Sequence, residues 1–426
     1  MREMKDSGIE WIGQVPNNWK LKKGKYLFKQ HNNRGNLKCL QLLSPSQKFG
    51  VIPQTLLEEL TTQNVVKVSE KANLNDFKTV HVGDFCISLR SFQGGFEYSR
   101  YEGVVSPAYQ IFSAIGDNLC DGYYRYLFKD KSFIDKMNSY TMTLRDGKNI
   151  AFDDFGNTYI PVPPKSEQEK IAGFLDSQCS EIDAISTDIQ KEIETLEQYK
   201  RSVITEAVTK GLNPDAETKK SAIFYMAPYN SEWRLSKIGY ECTKLARPFS
   251  PADMPLLCTN KGKVSPRPSD MTGKMVSEDN AMQGIHKGDI AIHGMDTWHG
   301  AIAMSEYDGK ITRVVHVCDS KQDKRFIVYY LQQLAFNDVY KLISFGIRGN
   351  TSDFRSWDKV KDIYIALPDI DEQQKISDFL DLECRRVEDI VSEKKKQLDV
   401  LGAYKKSLIY EYVTGKKEVP LWKSNT

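Results

Sequence analysis

Apolar residues along this 426-residue chain follow two regimes. In two long stretches they recur every three to four positions, the period of a helix. The first stretch follows the prolines at 163 and 164, where Leu175, Ile182, Ile189, Leu196 and Val203 form one heptad-spaced set. Ile171, Gln178, Ile185, Glu192 and Tyr199 form a second set. The later stretch carries Leu380, Val387, Lys394, Leu401 and Leu408, with Ile376, Glu383, Ile390, Gln397 and Tyr404. Ser166 followed by Glu169 predicts a capping box, and Gly211 and Gly415 predict the stops. Each helix would then run for about 45 residues, or roughly 65 Å. Elsewhere the period shortens. "DFCISLR" and "DIAIHGM" alternate as half-buried strands do, each entered by a Gly-Asp turn in "VGD" and "KGD".

The two helical stretches are copies of one another. At an offset of 205, 20 of the 50 positions from Ile160 to Thr209 are identical without a gap, including most of "EQEKIAGFLD" and "YKRSVITEAVT". A period that long is no solenoid unit and implies two similar halves, each large enough to be a domain. Matching seams predict that the helices pair, with Gln178, Glu383, Glu192 and Gln397 fixing register at a cost in stability. The alternative is that each helix packs only on its own globular segment. Boundaries are expected at 1–164 and 212–367 for the globular domains, at 165–211 and 368–415 for the helices, and at 416–426 for a tail. Outside the helices and the Gly-Asp turn the halves diverge: "RSFQGGFEYSR" has no counterpart in "GMDTWHGAIAM".

Charge adds a weak pointer. Residues 1–164 carry 21 Lys and Arg against 17 Asp and Glu, and residues 211–364 carry 21 against 18. The helical stretch 165–210 has the opposite balance, 6 against 10. Two mildly basic globular segments suit an anionic ligand. The eight cysteines form no CxxC pair, so neither a zinc site nor a disulfide framework is expected. The N-terminal stretch resembles no signal peptide and no apolar run reaches a membrane span, so a cytoplasmic protein without membrane association is expected.

Motifs for chemistry are missing. There is no GxxxxGK loop, no GxGxxG after a strand, no HExxH and no Gly-x-Ser-x-Gly. "VPPK" lacks the acid or amide that precedes the Pro-Pro of an adenine methyltransferase. "NPDAETK" at 213–219 has the residue types of a nuclease site, but packed into one linker-like stretch. His286, His293 and His299 are spaced across a turn and a strand rather than as metal ligands. No catalytic residue and no metal is expected in this chain.

"KDSGIEWIGQVPNNWKLKKGKYLF", "GVVSPAYQIF", "PVPPKSEQEKIAGFLD" and "YKRSVITEAVTKGLNP" together resemble the specificity subunits of type I restriction–modification systems, in the family's own order. The second half is more divergent, lacking "GIEWIG" and "SPAY". The resemblance implies an α+β fold with two strand-rich target-recognition domains, each followed by a long helix. The helices would pair as an antiparallel coiled coil with pseudo-twofold symmetry. It implies that each domain reads one half of a two-part site in double-stranded DNA and that the helices set the spacer between halves. Two methyltransferase (modification) subunits would dock on the frame, and restriction/translocase subunits would join them. S-adenosylmethionine, ATP and Mg would belong to those partners, with no cofactor in this chain. Rival readings are a scaffold that binds only protein and a stand-alone nuclease or methyltransferase.

Base edges are read in the major groove by Arg, Lys, Asn, Gln, Ser and Thr. The candidates in the first domain are Arg90, Ser91, Gln93 and Arg100, with Arg145, Lys148 and Asn149 in "LRDGKNIAF". In the second domain they are His293, Thr297, Trp298 and His299, with Arg348, Asn350 and Thr351 in "GIRGNTSDF". Lys22, Lys23, Lys25, Lys261, Lys263 and Arg267 are expected on phosphates, which position without specifying. Phe174 and Phe379, placed identically beside the two seams, are the expected subunit-docking residues.

Overall fold

The computed structural model describes residues 2–35, 40–61, 73, 75–87, 95–140, 150–268, 281–344 and 352–420. Two helices dominate it, Lys165–Lys210 (α1) and Ile370–Val413 (α2). The chain forms two compact units that do not follow its linear halves. One contains Met1–Asp188 and Lys396–Thr426, the other Ile189–Lys395. Each unit therefore holds the start of one long helix and the end of the other.

The helices pair antiparallel. Phe174 stacks on Tyr412, and Lys405 donates to Asp183 at 2.6 Å. Glu192 meets Lys394, and Lys200 donates to Glu388 at 2.7 Å, so positions rise on α1 as they fall on α2. The pairs Asp183–Lys405 and Lys200–Glu388 are duplicates of each other at the 205 offset.

One heptad set is where the sequence puts it: Leu175, Ile182, Leu380, Val387 and Leu408 are buried. The other set holds at Ile171 and Ile376, which are buried, and is displaced by one residue further along the helices. Ile185, Tyr199, Ile390 and Tyr404 are exposed, and Cys179, Ile193, Cys384, Val391 and Tyr412 are buried in their place. Positions three and four beyond a buried leucine both lie on its face of the helix, so spacing alone leaves the choice open. The partner helix makes it, and the seam thereby takes in Lys200 and Lys405, each held by a carboxylate of the opposite helix.

The helix ends differ from the expected capping box. Helix α1 starts at Lys165, which places Ser166 inside its first turn, and Pro164 O accepts from the Glu167 and Gln168 amides at 2.8 and 3.0 Å. Glu167 instead accepts the Trp19 indole N–H at 3.0 Å. In α2 Asp369 caps, its Oδ1 accepting from the Glu372 amide at 2.8 Å, and Glu372 takes the Trp233 indole at 3.2 Å. The glycine stops hold, with φ of +87° at Gly211 and +72° at Gly415. Gly211 lies against Trp233 and Gly415 against Trp19. Each tryptophan thus joins the start of one long helix to the end of the other. Two glutamines at the helix starts also match: Gln168 accepts from Cys120 N–H and donates to Pro163 O, and Gln373 accepts from Asp323 N–H and donates to Pro368 O.

Each unit contains a four-stranded antiparallel sheet of the same order. In the first, strands Phe28–His31 (β1), Phe85–Ile87 (β2), Phe96–Tyr98 (β3) and Gln110–Ala114 (β4) lie side by side as β1-β4-β2-β3. In the second, Cys242–Lys244 (β5), Ile290–His293 (β6), Ile302–Met304 (β7) and Val315–Ser320 (β8) lie as β5-β8-β6-β7. The first core is aromatic, with Phe28, Phe85, Phe96, Phe112, Phe128 and Phe155 in one cluster that also takes in Ile171, Leu175 and Leu408. The second is mostly aliphatic around Ile290, Ile292, Ile302 and Leu331, and takes in Ile204, Val208 and Leu380. No helix among the described residues is long and apolar enough to cross a membrane.

Candidate nucleic-acid interface

The Gly-Asp turns fix where each sheet begins. Gly83 and Gly288 adopt φ of +97° and +87°, a region glycine enters without a Cβ clash. Asp84 Oδ2 accepts from His81 N–H at 2.7 Å, and Asp289 Oδ2 from His286 N–H at 2.8 Å. Both carboxylates are buried, and buried charge must be paired. His31 stands 3.3 Å from Asp84, whereas Arg247 grips Asp289 with two bonds of 2.6 and 2.7 Å. The return strands tie back alike: Ser99 N–H donates to Asp84 O and Ser305 N–H to Asp289 O, each at 2.8 Å. Arg100 follows that tie and is exposed.

In the second unit the loop after β6 is bonded to Ser352 and Phe354, at the end of the second candidate stretch. Ser352 N–H donates to Met295 O at 3.0 Å and Phe354 N–H to Gly294 O at 3.0 Å. The Thr297 hydroxyl donates to Ser352 Oγ at 2.7 Å, and Ser352 Oγ donates to Gly294 O at 3.1 Å. The loop after β6 is thus sewn to the residues that directly follow Arg348, Asn350 and Thr351. Those three lie outside the described residues, as do Arg90, Ser91, Gln93, Arg145, Lys148 and Asn149.

The four candidates of the described loop have unequal places. His299 is exposed. Thr297 is 1% exposed and serves the loop's internal bonding. Trp298 packs against the core, its buried indole N–H without a protein partner. His293 is half-buried, and its Nδ1 accepts from the Met295 and Asp296 amides at 3.3 and 3.1 Å. Burial holds its pKa below the usual imidazole value against the pull of Asp296. The inward turn of Thr297 and Trp298 was not legible, because "MDTWHG" has no period from which to assign faces.

Two residues that the sequence reading passed over link the sheet of each unit to the backbone ahead of its next helix. Gln110 and His316 occupy matching places: Gln110 pairs with Ile87 across β4 and β2, and His316 with Ile292 across β8 and β6. Both are polar interruptions in apolar strands, "AYQIF" and "VVHVC", and that is the signal that would have found them.

Of the expected phosphate contacts, Lys22, Lys25 and Lys261 are exposed, and Lys23 lies over the Tyr159 ring at 5.6 Å. Lys263 is held by Glu388 of α2 at 2.8 Å. In the nuclease-like stretch Asp215 and Glu217 are exposed, and Lys219 donates to the Ser231 carbonyl at 2.6 Å. Among the described residues no acid, histidine or cysteine cluster is arranged to hold a metal.

Residues 16–195 match the family described as the type I restriction modification DNA specificity domain. A Methanocaldococcus jannaschii protein named as a type I restriction enzyme MjaX specificity subunit is 25% identical over 281 residues. That match covers 61% of this chain and spans 59% of the relative's length. A solved structure from work on complex assembly and conformational transition of the type I R-M system is similar with a TM-score of 0.68 and 13% identity, over 95% of this chain and 99% of that one. The HsdS subunit of Thermoanaerobacter tengcongensis is similar at a TM-score of 0.47 and 14% identity, over 95% and 98%.

Proposed function

We propose that this chain, a specificity subunit of the type I restriction–modification class, reads a two-part site in double-stranded DNA with one half in the charge of each unit. The carrying observation is a duplicated frame with unlike reading edges. Both sheets have the same strand order, the same buried Asp turn and the same helix-end ties. The sequences that follow differ: "RSFQGGFEYSR" after β2 and "GMDTWHGAIAM" after β6. A frame repeated with different loops suits half-sites of different sequence read at a fixed separation.

Arg100 and His299 are the exposed candidates for base contact among the described residues, and Arg90, Ser91, Gln93, Arg145, Lys148, Asn149, Arg348, Asn350 and Thr351 are the candidates outside them. Lys22 and Lys25 supply phosphate contacts. The paired helices act as the ruler. Two modification subunits dock on them through apolar positions that the seam leaves outside. Ile185 and Ile390 are 43% and 46% exposed, and Tyr199 and Tyr404 are 50% and 52% exposed, near-equal values at duplicated positions. The partners contribute S-adenosylmethionine-dependent adenine methylation and ATP- and Mg-dependent restriction, and the whole assembly works in the cytoplasm.

The test is to express the chain with its modification subunits in a host lacking adenine methylation and to map methylated adenines across the genome. A motif of two short half-sites separated by an unspecified spacer is expected. Methylation or cleavage by the chain alone would overturn the reading, as would a single contiguous motif.

A further inference from the structure

Within each unit, one strand residue holds two separate stretches of chain in place. In the first unit Gln110 lies opposite Ile87, the last residue of β2 and the one that leads towards Arg90, Ser91 and Gln93. Its side chain reaches sideways to another part of the chain. Gln110 Nε2 donates to Ile150 O at 2.9 Å, and Gln110 Oε1 accepts from Phe152 N–H at 2.9 Å. The amide thereby pairs with backbone as a neighbouring strand would. Ile150 directly follows Arg145, Lys148 and Asn149, and the Phe152 ring packs on Phe112 of the same strand at 5.6 Å.

The second unit repeats the arrangement with different chemistry. His316 lies opposite Ile292, from which the loop carrying His293 to His299 departs. Its Nε2 stands 2.7 Å from Phe354 O, and because a carbonyl only accepts, Nε2 carries the proton and donates. Phe354 closes the stretch sewn to Gly294 and Met295. The His316 ring packs on Trp357 at 5.6 Å, and Trp357 is the duplicate of Phe152 at the 205 offset. Glutamine and histidine share no side-chain shape, yet at one framework position each presents an N–H to the chain entering the helix before the long arm.

We propose that Gln110 and His316 are positioning residues for specificity, each tying the strand that leads into one candidate stretch to the backbone that follows the other in its own unit, and neither acting on the other unit. This rests on the DNA-reading function proposed above. Base contacts discriminate only when their side chains are held to within a fraction of an ångström, so a reading edge assembled from two distant stretches needs a fixed joint. The buried His316 imidazole N–H and the half-buried Gln110 amide, which faces the buried residue Ile150, supply it, because leaving such a carbonyl unpaired is costly.

The experiment uses the full chain assembled with its modification subunits and reads methylated adenines genome-wide. Gln110→Leu is expected to lower discrimination about tenfold or more in one half of the motif, and His316→Leu to do so in the other half only. His316→Gln restores a donor of the kind that position 110 uses and should keep the parental motif. It also covers the case in which a leucine variant fails to assemble. The proposal falls if an assembled leucine variant retains its full motif, if either variant loosens both halves alike, or if His316→Gln loses selectivity as His316→Leu does. A parental complex that yields no two-part motif would defeat the functional reading instead.

Discussion

The Phe174 ring rests on Tyr412 with centroids 4.6 Å apart, while Phe379, its duplicate 205 positions on, is 38% exposed. The cause lies across the seam. At the 205 offset the counterpart of Tyr412 for Phe379 is Ala207, which has no ring to stack on. Identical residues at identical places in a repeat thus have different work, because the partner helix changed.

Phe174→Asp is therefore expected to destabilise the chain by about 1–3 kcal/mol, since it puts a charge against a packed aromatic. Phe379→Asp should stay within about 0.5 kcal/mol of the parent, as an exposed substitution does. Denaturant melts of the two variants check this. If Phe379 docks a modification subunit, its aspartate variant should still fold but co-purify less of that subunit.

The helix stops give a second asymmetry. A Cβ at Gly415 would lie 2.6 Å from Pro16 and 2.9 Å from the Trp19 ring, neither of which can yield. At Gly211 it would meet the end of the Glu372 side chain at 2.9 Å, which can swing aside. Both positions have positive φ, so each alanine carries backbone strain of about 1–3 kcal/mol. Gly415→Ala should cost more than Gly211→Ala in thermal unfolding. Equal costs would mean that the strain, not the tryptophan tie, dominates.

Acid should weaken the second unit through His316. Burial is the main cause that keeps its pKa below 6.5. Lys244 and His293 push the same way, and the Phe354 carbonyl opposes them. The folded form then binds fewer protons than the unfolded chain, so stability is full above pH 6.5 and declines as pH falls from there towards the folded value. The melting temperature of the parent should drop more between pH 7.5 and pH 5.5 than that of His316→Gln. Equal drops would exclude His316 as a contributor.

The ruler is tested by length. One heptad inserted between Ile189 and Leu196 and another between Lys394 and Leu401 keeps both seams in phase. The insertion adds about 10 Å of helix. Base pairs are about 3.4 Å apart, so the spacer should lengthen by about one to three pairs, with weaker binding because the groove also rotates. The readout is the methylated motif of the assembled complex. An unchanged spacer would remove the ruler, and altered half-site bases would show that reading and spacing are not separate.

The sequence by itself determined the repeat, the two long helices with their glycine stops, the seam positions Leu175, Ile182, Leu380, Val387 and Leu408, and the strands entered by Asp84 and Asp289. These are local facts: spacing sets which residues share a helix face, and a Gly-Asp turn needs no distant partner. Only the tertiary structure decided the rest. It chose Cys179, Ile193, Cys384 and Val391 over their neighbours for the seam, since two positions flank every heptad leucine and the opposing helix selects between them. It turned Thr297 and Trp298 inward, joined Trp19 to Glu167 and Trp233 to Glu372, and set Gln110 and His316 against carbonyls 40 and 38 residues away. Such bonds join residues far apart in the chain, and no local period encodes which buried donor will meet which buried carbonyl.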